Sequence, residues 1–282
     1  MNGIEIKNIA KNYGTVCALD QINLHFEENK IYGLLGRNGA GKSTLLNIIS
    51  NRIFATSGEV LIDGETATEN DRALGKLYLM SEKTYYPEKM KIKDIFQWTK
   101  CFYPDFDPEY AKKLAESFDL NLNKTVRSLS TGYTSIFKLI IALSVNVPYL
   151  LLDEPVLGLD ANHRDLFYRI LIEKFSERPC TIIISTHLIE EVSNVIEDIV
   201  IIKKGKILKN ESCEELLSKG YTISGTAASV DAYIKGKNVI GTDTLGGLKI
   251  AYLLEQAAPN LPTDLEISKL DLQKLFIQLT NS

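Results

Sequence analysis

The run Gly36-Arg37-Asn38-Gly39-Ala40-Gly41-Lys42-Ser43-Thr44 satisfies the phosphate-binding pattern G-x-x-x-x-G-K-[ST] at every fixed position. Average usage of Gly, Lys and Ser/Thr makes a chance match in a chain this long roughly a 1% event. The flanks agree with it. Residues 30–35 read as a short buried strand running into the loop. Residues 43–50 read as the helix leaving it, apolar at Leu45, Leu46, Ile48 and Ile49. A strand–loop–helix unit aims several backbone N–H groups and the positive end of a helix dipole at one spot, which suits phosphate oxygens. In that setting Lys42 reaches the β- and γ-phosphates and the Ser43 hydroxyl holds Mg²⁺.

Further along, Leu150-Leu151-Leu152-Asp153-Glu154-Pro155 is an apolar strand ending in two acids. A magnesium–nucleotide site needs a carboxylate at a strand tip beside the phosphate loop, and Asp153 fits that place. The next residue can face the terminal phosphate, where a carboxylate orients or deprotonates water. Glu154 fits that role.

Around these two segments the pattern is that of an α/β protein. Residues 4–10 and 21–26 look like strands of an initial antiparallel segment, 58–64 like a short strand between glycines, and 77–80 like another strand. From residue 92 to about 146 the apolar spacing turns helical, punctuated by Pro104 and Pro108. From Tyr149 a β/α rhythm resumes: strand 149–152, helix after Asp160, strand 181–184, helix after Thr186, strand 198–202. That rhythm implies a mostly parallel sheet covered by helices. After Lys209 the style changes to short strands and two helices, 227–234 and 270–279, with no recognisable motif. A domain boundary is expected near 205–220.

Composition bounds the function. The 282 residues suit one large domain or a core with an appendage. A net charge of −4 argues against a nucleic-acid binder, which is usually basic. The opening Met1-Asn2-Gly3-Ile4-Glu5-Ile6-Lys7 lacks the charged and apolar regions of a secretion signal. The most apolar stretch, 136–152, is interrupted by Lys138, Asn146 and Pro148 and is too short to span a bilayer. Cys17, Cys101, Cys180 and Cys213 are scattered without a C-x-x-C pair, which suits a reduced cytosolic compartment and no metal site.

With the phosphate loop and the acidic strand end in view, the chain resembles the ATP-binding subunit of a bacterial ABC transporter over residues 1 to about 210. Leu129-Ser130-Thr131-Gly132-Tyr133 sits where that family's signature L-S-G-G-Q belongs. Val156-Leu157-Gly158-Leu159-Asp160 matches the segment after the catalytic acid, Ser185-Thr186-His187 the switch histidine, and Lys11-Asn12-Tyr13-Gly14 the aromatic that stacks on adenine. Short as each match is, their order and spacing together are specific.

The resemblance implies a P-loop NTPase of the ABC type: a mixed, largely parallel sheet core, an antiparallel β subdomain, a helical subdomain at about 85–147, and a small α+β module over 211–282. It implies ATP and Mg²⁺ as cofactors, Glu154, His187 and Lys42 as catalytic residues, and Ser43 and Asp153 as metal ligands. Besides the loop residues 36–44, it gives Tyr13, Ser81, Ser130 and Gly132 to nucleotide binding. Ser130 and Gly132 act across a head-to-tail dimer, capping the γ-phosphate held by the opposing ATPase subunit. Hydrolysis then adds repulsion and releases the dimer. The implied partners are a second ATPase subunit and a separate transmembrane permease, with no nucleic acid. The chain would sit on the cytoplasmic face of the membrane through that permease. The style of residues 185–192 and the small appended module resemble single-ATPase subunits of exporters.

Several positions depart from the family. Thr131 replaces a Gly, Tyr133 replaces a Gln, and Thr134-Ser135-Ile136-Phe137 is apolar where a polar run is usual. The glutamine that links Mg²⁺ to the membrane subunit falls at Ser81, a shorter ligand, with Glu82 as a substitute beside it. These departures leave open an active subfamily, or a subunit whose signature serves a weakened composite site. Tyr85, Tyr86 and 92–98 lie where the family's helical subdomain forms a groove for a permease helix. Phe96 and Trp98 serve there either as anchors or as core. A soluble ABC ATPase of translation would need two phosphate loops, and one of DNA repair a long coiled coil; the chain has neither. A non-hydrolysing nucleotide sensor fits the altered signature but not the intact Glu154 and His187.

Overall fold

All five residues of the strand entering the phosphate loop are buried, the mark of a strand covered on both faces. The rest of the molecule is arranged around it. The computed structural model describes residues 2–256, 262 and 264–281. In chain order, β1 (Ile4–Tyr13), β2 (Val16–Phe26) and β3 (Ile31–Leu35) precede α1 (Lys42–Ile49), followed by β4 (Ser57–Ile62), β5 (Glu65–Thr66), α2 (Asp71–Leu74) and β6 (Leu77–Met80). A helical layer follows: α3 (Ile92–Phe102), α4 (Pro108–Ser117) and α5 (Thr131–Ser144). The chain returns through β7 (Tyr149–Asp153), α6 (Ala161–Glu177), β8 (Thr181–Thr186), α7 (Ile189–Val192), β9 (Asp198–Lys203), β10 (Lys206–Ser212) and α8 (Cys213–Ser218). The last unit is β11 (Tyr221–Thr226), α9 (Ala227–Tyr233), β12 (Val239–Leu245), β13 (Leu248–Leu253), β14 (Leu265–Lys269) and α10 (Leu272–Asn281).

The central sheet has the order β10-β9-β3-β8-β7-β6. Its inner pairs are parallel, and β10 closes one edge antiparallel to β9. Alternation along these strands divides the core. Tyr149, Leu151, Ile183, Val200 and Ile202 point to the side shared with α1 and the antiparallel sheet β2-β1-β4-β5. Leu150, Leu152, Ile182, Ile184, Ile199 and Ile201 point to the helical side, against Ile136, Ile140 and Phe167. Phe96 is a core residue of that helical side, 3% exposed, whereas Trp98 is 56% exposed.

The structure differs from the sequence reading in two places. The helix expected after Thr186 is a single turn, α7, because Thr186 and Leu188 form a side-chain-to-backbone turn that uses up the start of the segment. The strand Lys206–Ser212 runs across residue 210 and belongs to the central sheet, while Cys213 and Leu216 of α8 lie in the main core. The third sheet starts only at Tyr221. Its order, β12-β13-β11-β14, with every pair antiparallel, is the split βαβ arrangement. One face of this sheet packs on Val230 of α9. On the other side Tyr252 and the α10 residues Leu272, Leu275 and Phe276 join the main helical core, next to Ile189 and Val192 of α7.

Candidate functional site

The phosphate loop is shaped by backbone that only glycine tolerates. Gly41, the N-cap of α1, has φ +113°, and a Cβ there would sit 2.8 Å from both the Ala18 carbonyl oxygen and Leu19 Cδ2. The loop therefore presses against β2 and runs into α1, which carries no acidic residue in its first turn. Lys42 is 6% exposed. Its ammonium donates to the Gly36 carbonyl at 2.8 Å and lies 3.6 Å from Glu154 Oε1.

Asp153 ends β7 and is 3% exposed. The Ser185 hydroxyl donates to its Oδ1 at 2.8 Å, and the Ser43 hydroxyl lies close by. Burial pushes the Asp153 carboxyl above its ordinary value; those two hydroxyls and the Lys42 charge oppose the rise, and Glu154 adds to it. Glu154 is more constrained still. Its φ of +48° lies in the left-handed region, unusual for a side chain of this size. Its N–H donates to the Ser185 carbonyl at 2.8 Å. Its Oε2 accepts from Thr186 Oγ1 at 3.1 Å, and its Oε1 lies 2.9 Å from His187 Nδ1. One carboxylate is thus held by a lysine at the start of α1 and by a threonine and a histidine at the end of β8.

These groups border one cleft of about 470 Å³, lined by loop residues 38–44, Ala18, Glu82, Glu154, Leu157 and His187. Lys42, Ser43, Glu154 and His187 meet there, with Asp153 directly behind Ser43. Gly36 contributes its carbonyl to Lys42, and neither it nor Arg37 lines the cleft. The remaining expected residues lie elsewhere. Tyr13, at the end of β1, is 50% exposed with the Lys11 ammonium 5.1 Å from its ring centre, and lies outside the lining. Ser81 is 9% exposed and its hydroxyl donates to the Lys83 carbonyl at 3.0 Å, away from the cleft that Glu82 borders. Ser130 caps α5, accepting from the Tyr133 N–H at 3.3 Å. Gly132 abuts the loop after Glu154, and Ser135 Oγ donates to the Leu157 carbonyl at 2.8 Å.

Sequence reasoning gave no site role to Ser185, Thr186 or Ala18. The signal for the first two was present: a polar pair closing an otherwise isoleucine-rich strand, with Ser185 in parallel register opposite Asp153. Nothing in the local sequence marks Ala18.

The family model described as "ABC transporter" matches residues 19–157. The energy-coupling factor transporter ATP-binding protein EcfA2 of Thermotoga maritima is 33% identical over 209 residues, covering 72% of this chain and 78% of that protein. The chain belongs to the ATP-binding subunits of ABC transporters. The ABC transporter ATP-binding protein YtrB of Bacillus subtilis is 28% identical over 244 residues, 86% of this chain and 84% of that one. Among solved structures, a dimeric ATP-binding cassette in a post-hydrolysis state with ADP and Pi aligns with a TM-score of 0.67 at 24% identity, over 74% of this chain and 98% of that one; it shows the same fold. As an ABC transporter ATP-binding subunit the chain is an ATPase whose hydrolysis powers transport. No helix among the described residues is long and apolar enough to cross a membrane.

Proposed function

We propose that Glu154 is the base that activates water against the terminal phosphate of ATP, with His187 and Lys42 flanking the same phosphate. The observation that carries this is the left-handed backbone at Glu154, which aims its carboxylate into the cleft between Lys42 and His187. Lys42 supplies positive charge as the leaving group develops negative charge. His187, bonded to Glu154 through Nδ1, is placed to report whether a terminal phosphate is there.

The donor set also suits Mg²⁺. The Ser43 hydroxyl and the Asp153 carboxylate are hard oxygen donors already brought together at the loop, and the burial that opposes ionisation of Asp153 favours a bound cation beside it. Ser43 and Asp153 would hold the ion there, and it would supply positive charge against the phosphates. Tyr13 would stack on the adenine from the rim of the antiparallel sheet. Ser130 and Gly132, outside this chain's own cleft, would serve the cleft of a second ATPase subunit, whether a copy of this chain or a related one.

On this reading the ATPase domain, expected to end near 210, runs on through β10 and α8, and the accessory module begins at Tyr221. The helical layer offers the permease its docking face: a nearly wholly apolar groove of about 160 Å³ lined by Tyr78, Tyr86, Pro87, Met90, Trp98 and Phe102, suited to an amphipathic cytoplasmic helix. The protein would thereby be held on the cytoplasmic side of the membrane. Export is the direction of transport this reading carries, supported by the resemblance of residues 185–192 and the small module to exporter subunits. Calorimetry and phosphate release on Glu154→Gln test the centre of the proposal. ATP binding retained with turnover abolished supports it; unchanged turnover overturns it.

A further inference from the structure

A second cavity, of about 260 Å³, lies at the opposite end of the central sheet from the ATP cleft. Strands β7 and β8 finish at the cleft, with Asp153 and Thr186, and start at this cavity, whose walls include residues 146–148 and 178–181 on the approaches to the two strands. Residues 28–29 before β3, Asp105 and Ala142 of the helical layer, and Lys174 of α6 complete it. Two polar side chains hold these walls together. Asn146, in the left-handed backbone region at φ +53°, accepts from the Lys174 ammonium through Oδ1 at 2.7 Å and donates through Nδ2 to the Asp105 carbonyl at 2.9 Å. Thr181 Oγ1 accepts the Asn29 N–H and donates to the Glu27 carbonyl, both at 3.0 Å. A cavity with its walls bonded to one another in this way is a preformed site.

The charges around it point to a ligand of one sign. Lys174 and Arg178 are four residues apart at the end of α6, a spacing that puts them on one side of the helix, and both border the cavity. The half-buried lysines Lys30, Lys76 and Lys237 each rest on a carboxylate. Lys174, also half-buried, rests on neutral groups, the Asn146 amide oxygen and the Tyr110 ring, whose centre is 5.1 Å away. Burial lowers its proton affinity; the Cys180 thiol opposes that fall and the Arg178 charge adds to it. Asp107 and Glu177 favour its charge, and neither borders the cavity. Ala142, Val147, Pro148 and Leu150 supply an apolar wall. Glu28 and Asp105 are also on the lining, and their charge disfavours a ligand that carries more than one negative charge.

We propose that this cavity is a second binding site, separate from the ATP cleft, for a small organic monocarboxylate whose carboxylate meets Lys174 and Arg178 and whose carbon body lies on Val147, Pro148 and Leu150. A guanidinium takes a carboxylate through two parallel N–H bonds. A bound anion also offsets the repulsion between the two cations and the cost of burying Lys174. Occupancy stabilises the folded chain by mass action and braces the approaches to β7 and β8 against each other. None of this depends on the roles assigned to residues of the ATP cleft.

The test is calorimetry on the full chain saturated with ADP and Mg²⁺, so that the phosphate loop is already occupied. The probes are benzoate, its neutral isostere benzamide, and inorganic phosphate. Benzoate is expected to bind about tenfold or more tighter than either of the others. Lys174→Met and Arg178→Gln are each expected to weaken benzoate about tenfold or more, with ADP affinity unchanged, and Lys174→Arg to keep most of the binding. Arg178 is exposed, so its substitution tests the site without a folding defect. Alkylation mapped by peptide mass spectrometry locates the ligand: benzoate should slow the reaction of Cys180, which lines the cavity, and leave that of the exposed Cys101 as it was. No benzoate binding to the ADP-loaded protein, equal binding of benzamide, or an unchanged Cys180 rate overturns the site. Wild-type benzoate affinity in both Lys174→Met and Arg178→Gln overturns the role of the two cations. Phosphate bound as tightly as benzoate overturns the choice of a monocarboxylate.

Discussion

The Thr186 hydroxyl donates to Glu154 Oε2 at 3.1 Å and accepts the Leu188 N–H at 3.0 Å. One side chain thereby locks the carboxylate and the turn that carries His187 in a single frame. Removing it leaves Glu154 restrained on one oxygen only. Hydrogen bonds to charged groups contribute about 1.5–3 kcal/mol, so Thr186→Ala is expected to lower kcat by roughly tenfold or more with ATP affinity little changed. Thr186→Ser keeps the hydroxyl and should retain most activity. Steady-state phosphate release checks both; a Thr186→Ala enzyme with wild-type kcat would show that Glu154 needs no such restraint.

Much of this arrangement is legible in the sequence, and the exceptions have physical causes. The apolar runs read as strands at 77–80 and 149–152 are the observed β6 and β7, β7 extending one residue to Asp153, because a strand buried on both faces announces itself as an uninterrupted apolar run. The grouping of Lys42, Asp153, Glu154 and His187 follows from motifs that end strands on one edge of a parallel sheet. By contrast, Thr186 and Ala18 reach the site through contacts between residues far apart in the chain, with no periodicity to mark them. The order of the third sheet is equally hidden, since β11 pairs with both β13 and β14 across long connections.

Asp153 carries a stability cost that follows from its function. Burial, the largest influence on it, raises its folded-state pKa above the unfolded value. The sign is that of an acid whose charged form is disfavoured: the linked stability is fully present below the unfolded pKa and is lost as pH rises through the folded one. At neutral pH the ionised carboxylate is therefore a liability in the nucleotide-free protein. Asp153→Asn is expected to melt at a higher temperature than wild type near pH 7.5, with the gap closing toward about pH 4, while losing the Mg²⁺ dependence of ATP binding. Thermal melts across that range check the first part and calorimetry the second. A variant that melts lower than wild type throughout would mean that the bonds from Ser43 and Ser185 outweigh burial.

Gly132 has no room for a side chain. A Cβ there would lie 2.7 Å from the Gly158 carbonyl oxygen, a backbone atom in a loop that Ser135 also grips through Leu157. Gly158 itself has φ +81°, so the loop cannot relax by adopting an ordinary turn. Gly132→Ala is expected to destabilise by about 1–3 kcal/mol, and to weaken ATP-driven dimerisation more than ATP binding, since the displaced segment begins the signature helix. Urea unfolding gives the first figure. Sedimentation of the Glu154→Gln background, with and without Gly132→Ala, gives the second; equal dimer formation in both would separate Gly132 from the dimer contact.

The C-terminal helix is the least expected part of the core. Leu275 is fully buried and Phe276 is 6% exposed, both in the cluster that holds Ile189 and Val192 of α7, just beyond His187. The same cluster reaches Ile95 and Phe96 of α3, the helix that carries the only tryptophan, Trp98. A contiguous core predicts cooperative loss. Leu275→Ala is expected to cost about 2–5 kcal/mol, and to shift the urea midpoints seen by Trp98 fluorescence and by circular dichroism together. If the accessory module were an independent unit, the substitution would split the transition and leave the Trp98 midpoint in place. Coincident midpoints would instead mean that the element behind His187 draws its stability from α10, so that anything loosening the C-terminal helix also loosens the switch segment.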